Sequence, residues 1–155
     1  MKRIIFVFLF SFITGKSFSP TPIYNIDKGI EMTKTFAKYI DLLSLQYAFS
    51  MVESKENIMA YNLKEDAAGI LQIRPIMLNH VNSIQDSIKF TLIDRFNKER
   101  SLKMFTIVML NHNPNLDIYK ACVIWNGKNT TPYYVNNVKR FYNIKKKELT
   151  KYFNI

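Results

Sequence analysis

Residues 67–75 read Ala-Ala-Gly-Ile-Leu-Gln-Ile-Arg-Pro, a short apolar run that contains one glycine and one glutamine and ends before a proline. The run follows a polar, irregular segment that begins at Lys55. Gly69 permits a close approach of neighbouring backbone. The pattern therefore predicts that an excursion of the chain returns to the interior here, between two helices.

The chain before this turn has the periodicity of a long amphipathic helix. Apolar residues recur at helical spacing from Asp27, a candidate N-cap, to about Ser54. A break near Phe36 is an alternative to one continuous helix. The helix would deliver Glu53 to its C-terminal end.

The chain after the turn is predicted to form shorter helices. Ser101 and Asp117 have the side chains of N-caps, and Gly127 follows the end of one apolar segment. The helical segments are predicted at residues 76–84, 101–111, 117–126 and 133–142, followed by a basic amphipathic tail at 145–153. Because all of these elements are helical, the predicted fold class is mainly α with little or no β-sheet.

Composition and charge limit the function classes. The 155 residues are 48% hydrophobic and 22% charged, as expected for one globular domain, and the net charge is +10. A basic chain suits a polyanionic partner, such as a cell wall or an anionic membrane. Nucleic acid is not expected, because the body of the chain lacks a Lys/Arg stripe interleaved with aromatic residues. The run at residues 145–147 is interpreted as a solvated face.

The chain contains a single cysteine, Cys122, within an apolar segment. It is predicted to be a small buried hydrophobe rather than a nucleophile, because neither His80 nor His112 has an evident spacing relation to it. No Cys/His cluster has the spacing of metal ligands. We therefore expect neither a metal nor a cofactor.

The N-terminus resembles an export signal. Lys2 and Arg3 precede an uncharged apolar stretch at residues 4–14, and small residues follow it. Cleavage after Ser17 or Ser19 would leave a mature domain at residues 20–155, placed in the periplasm or cell envelope. An uncleaved N-terminal membrane anchor is the alternative.

Three motifs carry the functional prediction. Glu53-Ser54, with Asn57 four residues after the glutamate, comes first; Ala67–Pro75 comes second; Trp125-Asn126-Gly127 comes third. In this order and at these separations, they resemble the soluble lytic transglycosylase family of the lysozyme superfamily. The resemblance covers about residues 45–143. Leu71 replaces the family's usual methionine, Trp125 its tyrosine, and Lys128 a small residue.

This resemblance implies a helical domain like that of goose-type lysozyme and an exported, bacteriolytic enzyme. Glu53 would be the catalytic acid and base that cleaves the β-1,4 bond between N-acetylmuramic acid and N-acetylglucosamine, leaving a 1,6-anhydro product. A monomer that acts on peptidoglycan strands is expected, with cell-envelope or phage machinery as a further partner. The residues implied in substrate binding are Ser54, Asn62, Gly69, Ile70, Gln72, Trp125 and Asn126.

Alternatives remain open at this point. A second catalytic carboxylate is not evident, since Glu65 and Asp66 lie in the polar excursion, and this favours a lyase. A hydrolytic lysozyme of the goose type would need a water-positioning carboxylate, for which Asp66 is the candidate. A non-catalytic glycan-binding or secretion-apparatus scaffold is the other alternative. Trp125 also suits core packing, and Asn126 a helix cap.

Overall fold

The computed structural model describes residues 26–127 and 130–154. The predicted export signal and Lys128 lie outside these residues. The chain divides into two compact units, Met1–Met32 and Thr33–Ile155, and the site described below lies wholly within the second. Among the described residues, no helix has the length and apolar character that a membrane crossing requires.

The described residues form five α-helices, one short 3-10 helix and one two-stranded hairpin, so the mainly α prediction is confirmed. The strands pair antiparallel, with Tyr61 opposite Ala68 and Asn62 opposite Ala67. The elements in chain order are α1 (Ile26–Ser54), β1 (Tyr61–Asn62), β2 (Ala67–Ala68), α2 (Pro75–Ser83), the 3-10 helix (Leu92–Phe96), α3 (Lys98–His112), α4 (Ile118–Asn126) and α5 (Pro132–Phe153).

Helix boundaries follow local capping. The prediction that Ser101 caps α3 was wrong: the Asn97 side chain accepts from the Arg100 N–H at 3.0 Å and starts the helix earlier. Ser101 is buried, and its hydroxyl donates to the Arg95 carbonyl. Asp117 caps α4 as predicted, and Gly127 ends it.

Helices α1 and α5 are each one continuous element, whereas the sequence also allowed a break in α1 and predicted the basic tail as a separate segment after 133–142. α1 runs through residue 36 without a break. α5 continues through the basic tail to Phe153. Lys146 pairs with Asp41 at 2.7 Å, and Lys145 pairs with Glu148 at 2.9 Å. The run at 145–147 is therefore partly solvated: Lys147 is exposed, and the paired Lys145 and Lys146 are half-buried.

The core forms where α1 crosses the segment 67–73. Phe49 of α1 is fully buried, 5.1 Å from the Phe105 ring and 6.2 Å from the Trp125 ring. The apolar run of the opening motif supplies the other side of this core. Its buried members are Ala67, Ala68, Ile70, Leu71 and Ile73. Burial of these side chains ties the end of α1 to the turn that follows it.

Gly69 lies where the turn passes against the 3-10 helix. Its φ of +75° is unfavourable for residues with a Cβ, and a Cβ there would overlap the Arg95 carbonyl oxygen. That oxygen is held by backbone geometry and by Ser101, so it cannot move without shifting the start of α3. The sequence expectation of a close approach at Gly69 is confirmed.

We expect Gly69→Ala to destabilise the domain by more than about 3 kcal/mol, since a steric overlap with backbone is added to the strain of a positive φ. Gly127→Ala is the matched control. Gly127 has a φ of +84° and a ψ of −169°, a conformation that favours glycine, but no atom lies within 4 Å of an added Cβ, so only backbone strain of about 1–3 kcal/mol applies. Urea denaturation of both variants measures the difference. Equal losses would contradict the close approach at Gly69.

Candidate active site

Glu53 lies in the last turn of α1, at the wall of a polar pocket of about 160 Å³. Its carboxyl is half-buried, and its Oε1 accepts a hydrogen bond from the Tyr134 hydroxyl. Tyr134 is in the first turn of α5, so the contact joins elements 81 residues apart. The pocket lining comprises Glu53, Asn62, Glu65, Ala67, Gln72, Arg74, Trp125 and Asn126.

Burial sets the proton affinity of Glu53. Loss of hydration raises the pKa of this carboxyl above its ordinary value. The hydrogen bond from Tyr134 and the charge of Arg74 oppose this rise, and the charge of Glu65 adds to it. Burial also raises the pKa of Tyr134, and the neighbouring Glu53 carboxylate raises it further. Tyr134 therefore keeps its hydroxyl proton and donates a hydrogen bond to Glu53, whose carboxyl keeps its own proton to a higher pH than an ordinary glutamate does.

Asn62 and Asn126 both line the pocket. Asn62 is exposed on β1, and its Oδ1 accepts from the Lys64 N–H at 3.1 Å, which stabilises the hairpin turn. Asn126 is exposed at the end of α4. Gly127 is the C-cap residue of that helix. Both asparagines can therefore present amide groups to a polar ligand in the pocket.

Gln72 and Trp125 also line the pocket. The Gln72 amide nitrogen donates to the carbonyls of Gly69 at 3.0 Å and Ala60 at 3.2 Å, so its oxygen is the atom it can offer to a ligand. Trp125 is only 5% exposed, and its indole N–H donates to the Leu71 carbonyl at 3.1 Å. The indole is thus mainly a core residue whose edge reaches the pocket wall.

Three predicted binding residues lie outside the pocket lining. The Ser54 hydroxyl donates to the Ile70 carbonyl at 2.9 Å. The Ile70 side chain is buried in the core, and Gly69 lies against Arg95. In the structure, these residues fix α1 to the turn and so support the pocket.

The two acidic residues of the hairpin have different surroundings. The Asp66 carboxylate is paired with Arg95 at 3.2 Å and accepts from the Tyr61 hydroxyl at 3.0 Å, and it is outside the pocket lining. Glu65 lines the pocket, and its ion pair with Arg74 is long, at 3.9 Å. Glu65, and not Asp66, is therefore the hairpin carboxylate that shares a pocket with Glu53.

Sequence reasoning missed Tyr134 and Arg74 as site residues. Tyr134 lies within the helix predicted at residues 133–142, and its only sequence signal is its position one turn before the apolar Val138. Arg74 was visible as the charged residue between Ile73 and Pro75. A charged side chain inside an apolar motif is a signal that could have identified it.

The remaining reactive side chains are buried or engaged with each other. Cys122 is buried, and this burial raises the pKa of its thiol to about 12. His80 and His112 bond each other, with their Nε2 atoms 2.8 Å apart. Within residues 26–127 and 130–154, no three His, Cys, Asp or Glu side chains are grouped so as to hold a metal.

Comparisons of the chain with models of known protein families, with curated proteins and with solved structures found no match.

We expect Tyr134→Phe to raise the pKa of Glu53 further, because it removes a hydrogen bond that favours the ionised carboxylate. A carbon-13 NMR titration of the Glu53 side-chain carboxyl measures the shift. Tyr142→Phe is the matched control: the Tyr142 hydroxyl donates to Asp41 at 2.6 Å, and neither residue lines this pocket. An unchanged Glu53 titration in Tyr134→Phe would contradict the bond.

Proposed function

We propose that this chain is a peptidoglycan-cleaving enzyme of the lytic transglycosylase type with a lysozyme-like fold, in which Glu53 is the acid and base. The observation that carries the proposal is a half-buried carboxyl of raised pKa at the wall of a polar pocket. The helix-hairpin-helix order around Glu53 and the three sequence motifs support it. Residues 1–19 fit an export signal that would bring the enzyme to the cell envelope.

Proton transfer is the chemical task that the Glu53 environment favours. A glycosidic bond breaks through a transition state with oxocarbenium character, and the leaving oxygen needs a proton. A carboxyl that stays protonated at higher pH can donate it. Because Tyr134 bonds Oε1, the other carboxyl oxygen is available to face the substrate.

The second step reverses the role of Glu53. After proton donation, the carboxylate is stabilised by the Tyr134 hydroxyl and by the charge of Arg74, as their effects on its pKa indicate. It can then accept the proton of the C6 hydroxyl of the muramic acid ring as that oxygen attacks C1. The product is the 1,6-anhydro ring, and the proton returns to Glu53 without consumption of water. Asn62, Gln72 and Asn126 would hold the sugar hydroxyls and acetamido group from the pocket walls.

Hydrolysis is the second candidate, and the position of Glu65 favours it. Glu65 lines the same pocket as Glu53, where two carboxylates on either side of a bond could activate a water molecule. Asp66 suits this role less well, since it is engaged by Arg95 and Tyr61. A hydrolase would therefore use Glu65.

We expect Glu53→Gln to abolish release of soluble fragments from purified peptidoglycan, since glutamine cannot donate a proton as an acid. Circular dichroism should show an intact fold. Glu56→Gln is the control: Glu56 is exposed, pairs with Lys98 at 3.4 Å and lies outside this pocket. Full activity in Glu53→Gln would refute the assignment, and retained glycan binding without any product release by the wild type would favour the scaffold.

Mass spectrometry of the products separates the two reactions. We expect 1,6-anhydro ends from the wild type, and the same ends from Glu65→Gln with activity reduced less than about tenfold, since Glu65 has no proton-transfer role in a transglycosylase. Reducing ends in the wild type, lost together with activity in Glu65→Gln, would identify a hydrolase that uses Glu65 as its base.

A further inference from the structure

The Arg74 side chain lies where two cavities meet. One is the polar pocket that contains Glu53, and the other is a largely apolar cavity of about 260 Å³ whose lining includes Ile76, Met77 and Ile124. Gln72, Arg74 and Trp125 line both. A ligand that extends from the polar pocket into the apolar cavity would pass the guanidinium.

The guanidinium of Arg74 is only loosely engaged. Its ion pair with Glu65 is 3.9 Å long, and the two side chains are 39% and 56% exposed. By contrast, Arg95 and Arg100 pair with carboxylates at 3.2 Å and 3.0 Å and make several hydrogen bonds to carbonyl and carboxylate oxygens. A planar fork of donors in a polar pocket is suited to bidentate binding of a carboxylate.

We propose that Arg74 and the adjacent apolar cavity form a subsite for a carboxylate carried by the glycan next to the bond that Glu53 cleaves. This inference rests on the proposed function and specifies its substrate. N-acetylmuramic acid carries such a group as a free lactyl carboxylate, or as a carboxylate of the peptide joined to the lactyl group. The methyl groups of the lactyl and alanyl units would contact the Ile76, Met77 and Ile124 side of the cavity.

The charge of Arg74 also connects this subsite to Glu53. That charge lowers the pKa of the Glu53 carboxyl. A bound carboxylate would neutralise much of the field of Arg74 and so raise the proton affinity of Glu53 when substrate is present. An anionic substrate would thereby help Glu53 to keep the proton that it donates to the leaving oxygen, whereas a neutral glycan would not.

Binding measurements test the subsite apart from catalysis. Calorimetry would measure the affinity of two proteins, Glu53→Gln and Glu53→Gln with Arg74→Gln, for three oligosaccharides of equal length. These are a neutral N-acetylglucosamine oligomer, a muramic-acid-containing strand without peptides, and the same strand with peptides. Arg140→Gln is the matched control: it removes the same charge from an exposed position on α5, where the guanidinium lies over the Phe141 ring.

With Arg74 present, we expect tighter binding of at least one anionic strand than of the neutral oligomer. Arg74→Gln should weaken that binding roughly tenfold or more, the effect of losing a charge-assisted pair, and change neutral binding much less. Arg140→Gln should keep the preference. The strand that loses more affinity identifies the source of the carboxylate. A larger loss for the peptide-free strand indicates the lactyl carboxylate, and a larger loss for the strand with peptides indicates a peptide carboxylate.

Three results would overturn the inference: no preference for anionic strands, equal weakening of all three ligands by Arg74→Gln, or no binding of any of them. Failure of the proposed function has a different signature. In that case, the enzyme with intact Glu53 and Arg74 releases no product from these strands, whatever preference the binding measurements show.

Discussion

The buried guanidinium of Arg95 is the contact on which the geometry of the site depends. It is 4% exposed and donates to the carbonyls of Asp66 at 2.6 Å, Ile73 at 3.0 Å and Leu92 at 3.0 Å, and to the Asp66 carboxylate at 3.2 Å. A buried charge is costly unless hydrogen bonds and a counter-ion replace its hydration. Apart from the Leu92 carbonyl, those partners are the two ends of the segment 66–73. One side chain therefore links the ends of this segment, and the Arg95 carbonyl lies against Gly69 within it.

The segment 66–73 in turn positions the pocket that contains Glu53. Ser54 at the end of α1 donates to the Ile70 carbonyl, and Trp125 of α4 donates to the Leu71 carbonyl. Two helices distant in sequence are thus bonded to consecutive peptide groups of one rigid segment. Glu53 and Asn126 are the neighbours of these two residues in the chain, so their side chains reach the pocket because Ser54 and Trp125 are fixed. Predicted binding residues that lie outside the lining serve this supporting role instead.

The sequence predicted the helical class, the end of α1, the Asp117 and Gly127 ends of α4, and the close approach at Gly69, because each depends on local periodicity or on one residue's backbone preference. It did not predict the start of α3 or the partners of Lys145 and Lys146. Asn97 and Ser101 are both plausible caps in isolation, and only burial of Ser101 against Arg95 decides between them. Likewise, motif order led to Glu53, whereas Tyr134 meets it across 81 residues by tertiary packing. No local pattern encodes such a contact.

The pocket's charges give an independent reason for the different roles of its two carboxyl groups. Glu53 and Glu65 share one nearby cation, Arg74, so ionisation of both leaves an uncompensated negative charge. Such a charge is most costly on the more buried carboxyl, which therefore gains the stronger tendency to keep its proton. Glu65 is exposed on the hairpin and is the ion-pair partner of Arg74. Glu53 is the group whose burial raises its pKa, so in the proposed reaction it would be the proton donor of the pair. The raised pKa comes from the surroundings of the helix end rather than from the neighbours of Glu53 in sequence.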